Sequence, residues 1–309
     1  MKNPKVVVLV PCYNEERTVG TVVASFKDAL PEAVVYVYDN NSTDGTRDEA
    51  LAAGAIVRTE PQQGKGAVVR RMFRDIEADF FIMVDGDHTY DAAMSPAMLA
   101  MAIDEQLDLV NCVRMETEDS AYRSGHRLGN RMLTGAVRMI FGDRVQDMLS
   151  GYKVFSRRFV KSFPASSIGF GIETELTVHA LELQMPVGHL PGSYGGRPAG
   201  SVSKLSTYKD GSRILWLIVQ LFKHERPLSF FGGISAVLVL LSLLLGLPVV
   251  EFYLQHGTVP RFPTAILATG IMLLATMSFV AGLVLDTVTR GRRELKALAY
   301  LSHPFFQHD

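Results

Sequence analysis

The chain has 309 residues, 31 basic and 32 acidic side chains, and two cysteines, Cys12 and Cys112, a hundred positions apart. A net charge of −1 gives no global basic field for nucleic acid, and two distant cysteines give neither a disulfide framework nor a Cys metal cluster. Both cysteines read as small buried residues of a reducing compartment.

Met1 to Val10 has too short an apolar stretch for a signal peptide and turns directly into Pro11-Cys12-Tyr13-Asn14-Glu15. Apolar runs at Val6–Val10, Val34–Tyr38, Ala55–Val57, Phe80–Val84 and Leu107–Val113 predict strands buried on both faces, hence a mainly parallel sheet. Between them Val19, Val22, Val23, Phe26 and Leu30 share one helical face, and Thr46–Ala53, Ala67–Glu77 and Ala93–Glu105 predict further helices. This is a doubly wound α/β plan, whose ligands sit beyond the carboxyl ends of the strands. Polar residues gather at those ends: Pro11 to Glu16, Asp39 to Thr46, and Asp85-Gly86-Asp87-His88. Helix capping accounts for Asn14, Ser42 and Thr43, but not for Asp39 or the carboxylate pair.

Tyr208 to Lys223 suits either an amphipathic helix at the lipid headgroup level or packing against the α/β domain. Pro227–Val250 and Phe262–Leu285 then each run 24 residues without a charge. About 20 apolar residues cover a bilayer core, so both predict transmembrane helices, at 229–250 and 263–285. Lys223 and Arg226 precede the pair, Arg290, Arg292, Arg293 and Lys296 follow it, and the connection Glu251–Arg261 holds one arginine. By the positive-inside rule both ends face the cytoplasm, as in an inner-membrane protein. The expected division is a catalytic α/β domain at 1–205, a juxtamembrane helix at 206–226, a two-helix hairpin at 227–286 and a cytoplasmic tail at 287–309, whose Leu295, Leu298 and Phe305 suit the membrane interface.

Pro11-Cys12-Tyr13-Asn14-Glu15, the Asp39–Thr46 segment, Gln63-Gly64-Lys65-Gly66 and Asp85-Gly86-Asp87 together resemble family 2 glycosyltransferases of GT-A fold. Asp147-Met148-Leu149-Ser150-Gly151-Tyr152-Lys153 and Arg197 to Lys204 are similar to the signature of polyprenyl-phosphate sugar synthases, the dolichyl-phosphate mannose synthase group, in its two-span bacterial branch. The resemblance implies nucleotide-sugar contacts from Pro11, Tyr13, Glu15, Asp39, Lys65, Asp85 and Gly86. An aromatic ring offers a base a stacking face, and carboxylates accept from base N–H and ribose hydroxyls. Asn40 departs from the paired aspartates often found there.

A nucleoside diphosphate leaving group needs its charge neutralised, and hard oxygen ligands holding Mg²⁺ or Mn²⁺ are the usual means. Asp87 suits direct ligation, and Asp85 either the ribose or the metal through water. His88 is a further ligand or an exposed loop histidine. On the acceptor side Arg123, Arg127 and Arg131 recur every four residues, a stripe of like charges that a phosphate would relieve. Arg114 and Arg197 match basic positions that the family uses around phosphates, with Ser203 and Lys204 as candidate helpers. Asp147 resembles a family residue that orients an arginine or the acceptor, against a plain loop cap. Glu173 and Glu175 are sugar-hydroxyl candidates.

A polyprenyl phosphate with a second pKa of about 6 is already a dianionic nucleophile and needs no general base. The expected reaction is an inverting displacement at the anomeric carbon, with Asp87, Asp147, Arg127 and Arg131 as its catalytic set, a UDP-sugar as the favoured donor, and a homo-oligomer as the acting form. Two rivals are a polysaccharide synthase of the same fold and a non-catalytic nucleotide-sugar scaffold. The first usually carries Gln-x-x-Arg-Trp, whereas Trp216 here follows Ser212-Arg213-Ile214-Leu215; the intact acidic triplet opposes the second.

Overall fold

The computed structural model describes residues 3–116, 132, 134–135, 137–139, 141–142, 146–164, 171–195 and 207–306. The chain divides into two compact units, Met1–Leu215 with Leu295–Asp309, and Trp216–Glu294.

The first unit holds one seven-stranded sheet of β1 (Val6–Cys12), β2 (Val34–Asp39), β3 (Ile56–Thr59), β4 (Phe80–Met83), β5 (Leu109–Glu116), β6 (Lys153–Ser156) and β7 (Val187–Tyr194), ordered β3-β2-β1-β4-β6-β5-β7. β6 runs antiparallel to β4 and β5; the other pairings are parallel. The helices are α1 (Val19–Ala29), α2 (Thr46–Ala52), α3 (Lys65–Asp75), a 3-10 turn at Ala92–Met94 leading into α4 (Ser95–Asp104), α5 (Arg157–Ser162) and α6 (Ile172–Glu182). All five expected apolar runs form strands, β5 displaced toward Glu116 and β1 extended to Cys12.

Alternation of side chains along each strand feeds two cores, one per face of the sheet. Val8, Val10, Phe80 and Ile82 pack with Phe26 and Tyr152 on one side, while Val7, Leu9, Phe81 and Met83 pack with Phe73, Phe155 and Phe159 on the other. Each such side chain withdrawn from water contributes roughly 1.5–3 kcal/mol. The carboxyl ends of β1, β2 and β4 are thereby fixed side by side.

The expectation of a separate tail from 287 needs correction. The last helix, α9 (Phe262–Leu301), runs on past 285 without a break, and residues 295–306 belong to the α/β unit. Tyr300 Oη donates to Asp108 Oδ2 at 2.7 Å, Lys296 pairs with Glu182 at 2.5 Å, and Phe305 and Phe306 meet the Phe80 ring edge-on at 5.8 and 6.1 Å. Buried Asp108 also accepts from Ser156 Oγ and both arms of Arg158. These contacts lie at the amino ends of β4 and β5, away from the polar loops.

In the second unit α7 (Thr207–Glu225), which starts in the first, is followed by α8 (Pro227–His256) and α9. Both α8 and α9 are long and apolar enough to cross a membrane. Their seam is built from small residues. Ala268, Ala275, Gly282 and Thr289 recur every seven positions as the buried residues of α9, and Ser242 and Ser235 hydroxyls donate to the Ala268 and Ala275 carbonyls at 2.8 Å each. Small side chains with cross-helix hydrogen bonds are what packs helices where apolar burial gives no drive. A Cβ on Gly282 would come within 3.1 Å of Phe231 Cβ, so the helices approach closely here.

Candidate active site

Two loops at the carboxyl ends of β1 and β2 are stitched together. Asn14, at φ +54°, donates its amide to Ser42 Oγ at 2.9 Å and accepts from the Thr43 amide at 2.8 Å; the Glu15 amide donates to Thr46 Oγ1 at 2.8 Å. Tyr13 stands 37% exposed at the rim and Asp39 is buried, with Oδ1 accepting from the Ser42 amide. Asn40 explains its own departure from the aspartate pattern. Its amide nitrogen donates to the Glu60 and Gln62 carbonyls, both at 2.8 Å, and its oxygen accepts from Gly64 N at 2.7 Å. A carboxylate could not donate either bond. Asn40 thus shapes the turn before α3, where Gly64 adopts φ +124°, a conformation open to glycine.

The acidic triplet follows β4. Thr18 Oγ1 donates to the Gly86 carbonyl at 2.7 Å, and a Cβ on Gly86 would strike Cys12 Sγ at 2.6 Å, so the triplet lies directly against the end of β1. Asp87 is buried and accepts from Thr89 Oγ1 at 2.6 Å. Burial, then the charges of Glu15, Asp39, Asp85 and Asp87, push the Cys12 thiol well above its ordinary range. His88, at φ +56°, is exposed at the edge.

Lys65, the first residue of α3, reaches Asp85 Oδ1 and Glu173 Oε1, each at 2.5 Å. Burial alone would lower its pKa, but the two carboxylates outweigh it and raise it. Burial also lifts Asp85, helped by Asp87 and Glu173 and opposed by Lys65; at Glu173 Lys65 prevails over burial and holds the carboxyl low. The single Lys65 ammonium is shared by Asp85 and Glu173, with Asp87 across one glycine from Asp85, so the site stays acidic. Among the described residues no group of three His, Cys, Asp or Glu stands ready to hold a metal. Asp85 and Asp87 are hard oxygen donors of the kind that takes Mg²⁺ or Mn²⁺ where one or two carboxylates share the ion with substrate phosphates.

Across the cleft, Arg114 of β5 grips Asp147 as a fork, Nε to Oδ2 and Nη2 to Oδ1 at 2.7 Å, with its amide donating to Oδ2 at 3.2 Å. Burial would raise Asp147, but this grip holds it below the usual carboxylate range. The guanidinium also lies 5.3 Å from the Tyr194 ring centre. Asp85, His88, Thr89, Tyr90 and Tyr194 line part of an open cavity of about 800 Å³.

The structure therefore groups Glu15, Asp39, Asp85 and Asp87, joins Lys65 to Asp85, and joins Arg114 to Asp147. Arg123, Arg127, Arg131, Arg197, Ser203 and Lys204 lie outside the described residues. Two pairings escape sequence reasoning. Glu173, a sugar-hydroxyl candidate in the sequence, is the partner of a lysine 108 positions away. Lys153, in the sequence only the last residue of the Asp147–Lys153 motif, is fully buried at the start of β6 with Nζ 2.5 Å from Asn111 Oδ1.

A mixed α/β sheet of this order, with an acidic pair at the end of β4, defines a GT-A type, Rossmann-like domain. The chain belongs to glycosyl transferase family 2, whose model matches residues 7–163. Glycosyltransferase AglJ of Haloferax volcanii is 35% identical over 231 residues, covering 74% of this chain and 76% of the relative. The dolichyl-phosphate hexose transferase of the same organism is 24% identical over 219 residues, covering 71% and 94%. Among solved structures, Mycobacterium tuberculosis glucosyl-3-phosphoglycerate synthase, crystallised with Mn²⁺, UDP-glucose and phosphoglyceric acid, matches with a TM-score of 0.59 at 22% identity, over 72% of this chain and 79% of that one.

Proposed function

We propose that the chain is a membrane-anchored inverting glycosyltransferase that moves a sugar from a nucleotide sugar, preferentially a UDP-sugar, to a polyprenyl phosphate. The observation that carries this reading is the fate of two carboxylates. Asp147 and Glu173 are spent on Arg114 and Lys65 and held ionised below the usual range, so both are poor proton acceptors at neutral pH. A hydroxyl acceptor needs a base; a phosphate dianion needs only orientation. The relative that acts as a dolichyl-phosphate hexose transferase supports the same acceptor class.

In this reading Tyr13 stacks on the base, and Glu15 and Asp39 accept hydrogen bonds from the nucleoside. Asp85 and Asp87 hold the divalent metal, which when bound neutralises the diphosphate as it leaves. Asp147 presents Arg114 to the acceptor phosphate, joined by Arg123, Arg127, Arg131, Arg197, Ser203 and Lys204. A phosphate oxygen forms a bond to the anomeric carbon while the bond to the nucleoside diphosphate breaks and takes its electron pair. The test offers undecaprenyl phosphate with a panel of UDP- and GDP-sugars and identifies the lipid by mass spectrometry. A polyprenyl-phosphate sugar is expected; transfer to free glycan acceptors with no lipid product would overturn the reading.

The anchor is α8 and α9, whose Leu240, Leu244 and Met277 side chains are more than 60% exposed. With both ends cytoplasmic, a cysteine replacing Gly257 labels from outside intact cells with an impermeant maleimide and one replacing Ser302 does not. The two native cysteines are buried and give little background. The reverse pattern would place the catalytic unit on the wrong side.

A further inference from the structure

Lys153 is a fully buried ammonium at the start of β6, in register with Met83 of β4 and Asn111 of β5. Burying such a group is costly, and lysine is almost never fully buried without a partner. Its one hydrogen-bond partner among the described residues is Asn111 Oδ1. An ammonium only donates, so it obliges the Asn111 amide to turn its oxygen inward and its nitrogen outward. That nitrogen donates to the Gln146 and Asp147 carbonyls, both at 3.0 Å. Asp147 sits there at φ +48°, a left-handed backbone that aspartate adopts more readily than most non-glycine residues and that these two bonds help to hold. From that backbone its carboxylate meets Arg114.

We infer that Lys153 is a positioning residue: by fixing the Asn111 amide it holds the 146–147 turn in its left-handed form and so aims the Arg114–Asp147 fork at the acceptor. The role rests on the proposed acceptor reading only for what the fork binds; the positioning is a property of the fold. Lys153 touches no substrate in this scheme. It sits a strand away from the fork and acts through the asparagine side chain. The same chain of contacts explains why a charge is tolerated where an apolar residue would fill the strand: methionine at this position would leave the buried Asn111 oxygen without a donor and the amide held only by its two bonds to the carbonyls.

Two variants and two readouts test it. Lys153→Met removes the charge; Asn111→Asp keeps a buried partner for Lys153 but loses both donors, which guards against simple misfolding. Both are expected to speed hydrogen exchange of the Arg114 amide, which donates to Asp147, by about tenfold or more, while β1 amides keep their protection. Both should raise the KM for polyprenyl phosphate about tenfold and leave UDP affinity within about twofold. In an Arg114→Ala background Lys153→Met should add little further loss, because the two act in series. Unchanged exchange at Arg114, or fully additive losses, would overturn the inference. Faster exchange with weakened UDP binding and an unchanged acceptor KM would instead keep the positioning role and remove the acceptor assignment of Arg114.

Discussion

Asp87→Ala is expected to lower turnover by about 10² to 10³-fold, the range seen when one preorganised electrostatic contact to a developing charge is removed. Asp87 is buried, lies beside Asp85 across one glycine, and spends one oxygen on Thr89. Asp87→Asn is the sharper variant, since its amide oxygen still accepts from Thr89 while the charge is gone. If the carboxylate matters for its charge, both variants lose turnover alike and both weaken Mn²⁺-dependent UDP binding in calorimetry. If it matters for holding the Thr89 turn, Asp87→Asn keeps its activity and the metal assignment falls. Full wild-type activity in excess EDTA would have the same consequence. The fold should survive either change, because the core below the triplet, from Phe80 to Val84, is closed without Asp87.

The contrast between what the sequence discloses and what it hides follows from the range of the interactions. β1, β2 and β4 are legible because strands buried on both faces must be apolar throughout, and Val6 to Val10 or Phe80 to Val84 have no other use. β6 is not legible. Its apolar content is Val154 and Phe155, and its first residue is a lysine made tolerable by Asn111, 42 positions back. β7 hides for a different reason: Pro191, Gly188 and Gly192 weaken any strand pattern, and an edge position is where a sheet accepts proline.

The site divides the same way. Asp85 and Asp87 stand out because local capping cannot account for them. Asn40 looks like a defect in a motif until its partners appear, and those are carbonyls at Glu60 and Gln62 that only the β2–β3 pairing brings near. Asp147 is readable as an arginine-orienting residue, but which arginine depends on β5 running beside β6. Sequence patterns report a residue's own secondary structure, whereas these pairings report the order of the strands.

Lys65→Met is expected to destabilise the α/β unit and to reverse the pH dependence of the Glu173 contribution. Breaking a fully buried ion pair costs about 3–5 kcal/mol. The Lys65 and Asp85 side chains are each 30% exposed and Glu173 19%, so solvent screening brings the expected loss at pH 8 to roughly 2 kcal/mol. In the wild type Lys65 holds Glu173 below its usual range; that contribution is present above the unfolded pKa and is lost as pH falls through the folded one. Asp85 is raised already in the wild type, by burial above all; without Lys65, burial and mutual repulsion lift Glu173 above its unfolded value as well and Asp85 further. A raised carboxyl stabilises the fold below its unfolded pKa and loses that contribution as pH rises through the folded value. The deficit of the variant should therefore be widest near pH 8 and narrow toward pH 5, followed by thermal unfolding in detergent. Lys65→Met combined with Glu173→Gln removes one of the two repelling charges and should recover much of the stability. Donor binding should not recover with it: a lost point charge on the diphosphate weakens UDP by about tenfold to a hundredfold, the effect of about 1.5–3 kcal/mol, whether or not the fold is repaired. A double variant that regains both stability and UDP affinity would reduce Lys65 to a structural counter-ion for Asp85 and Glu173, with no part in holding the donor.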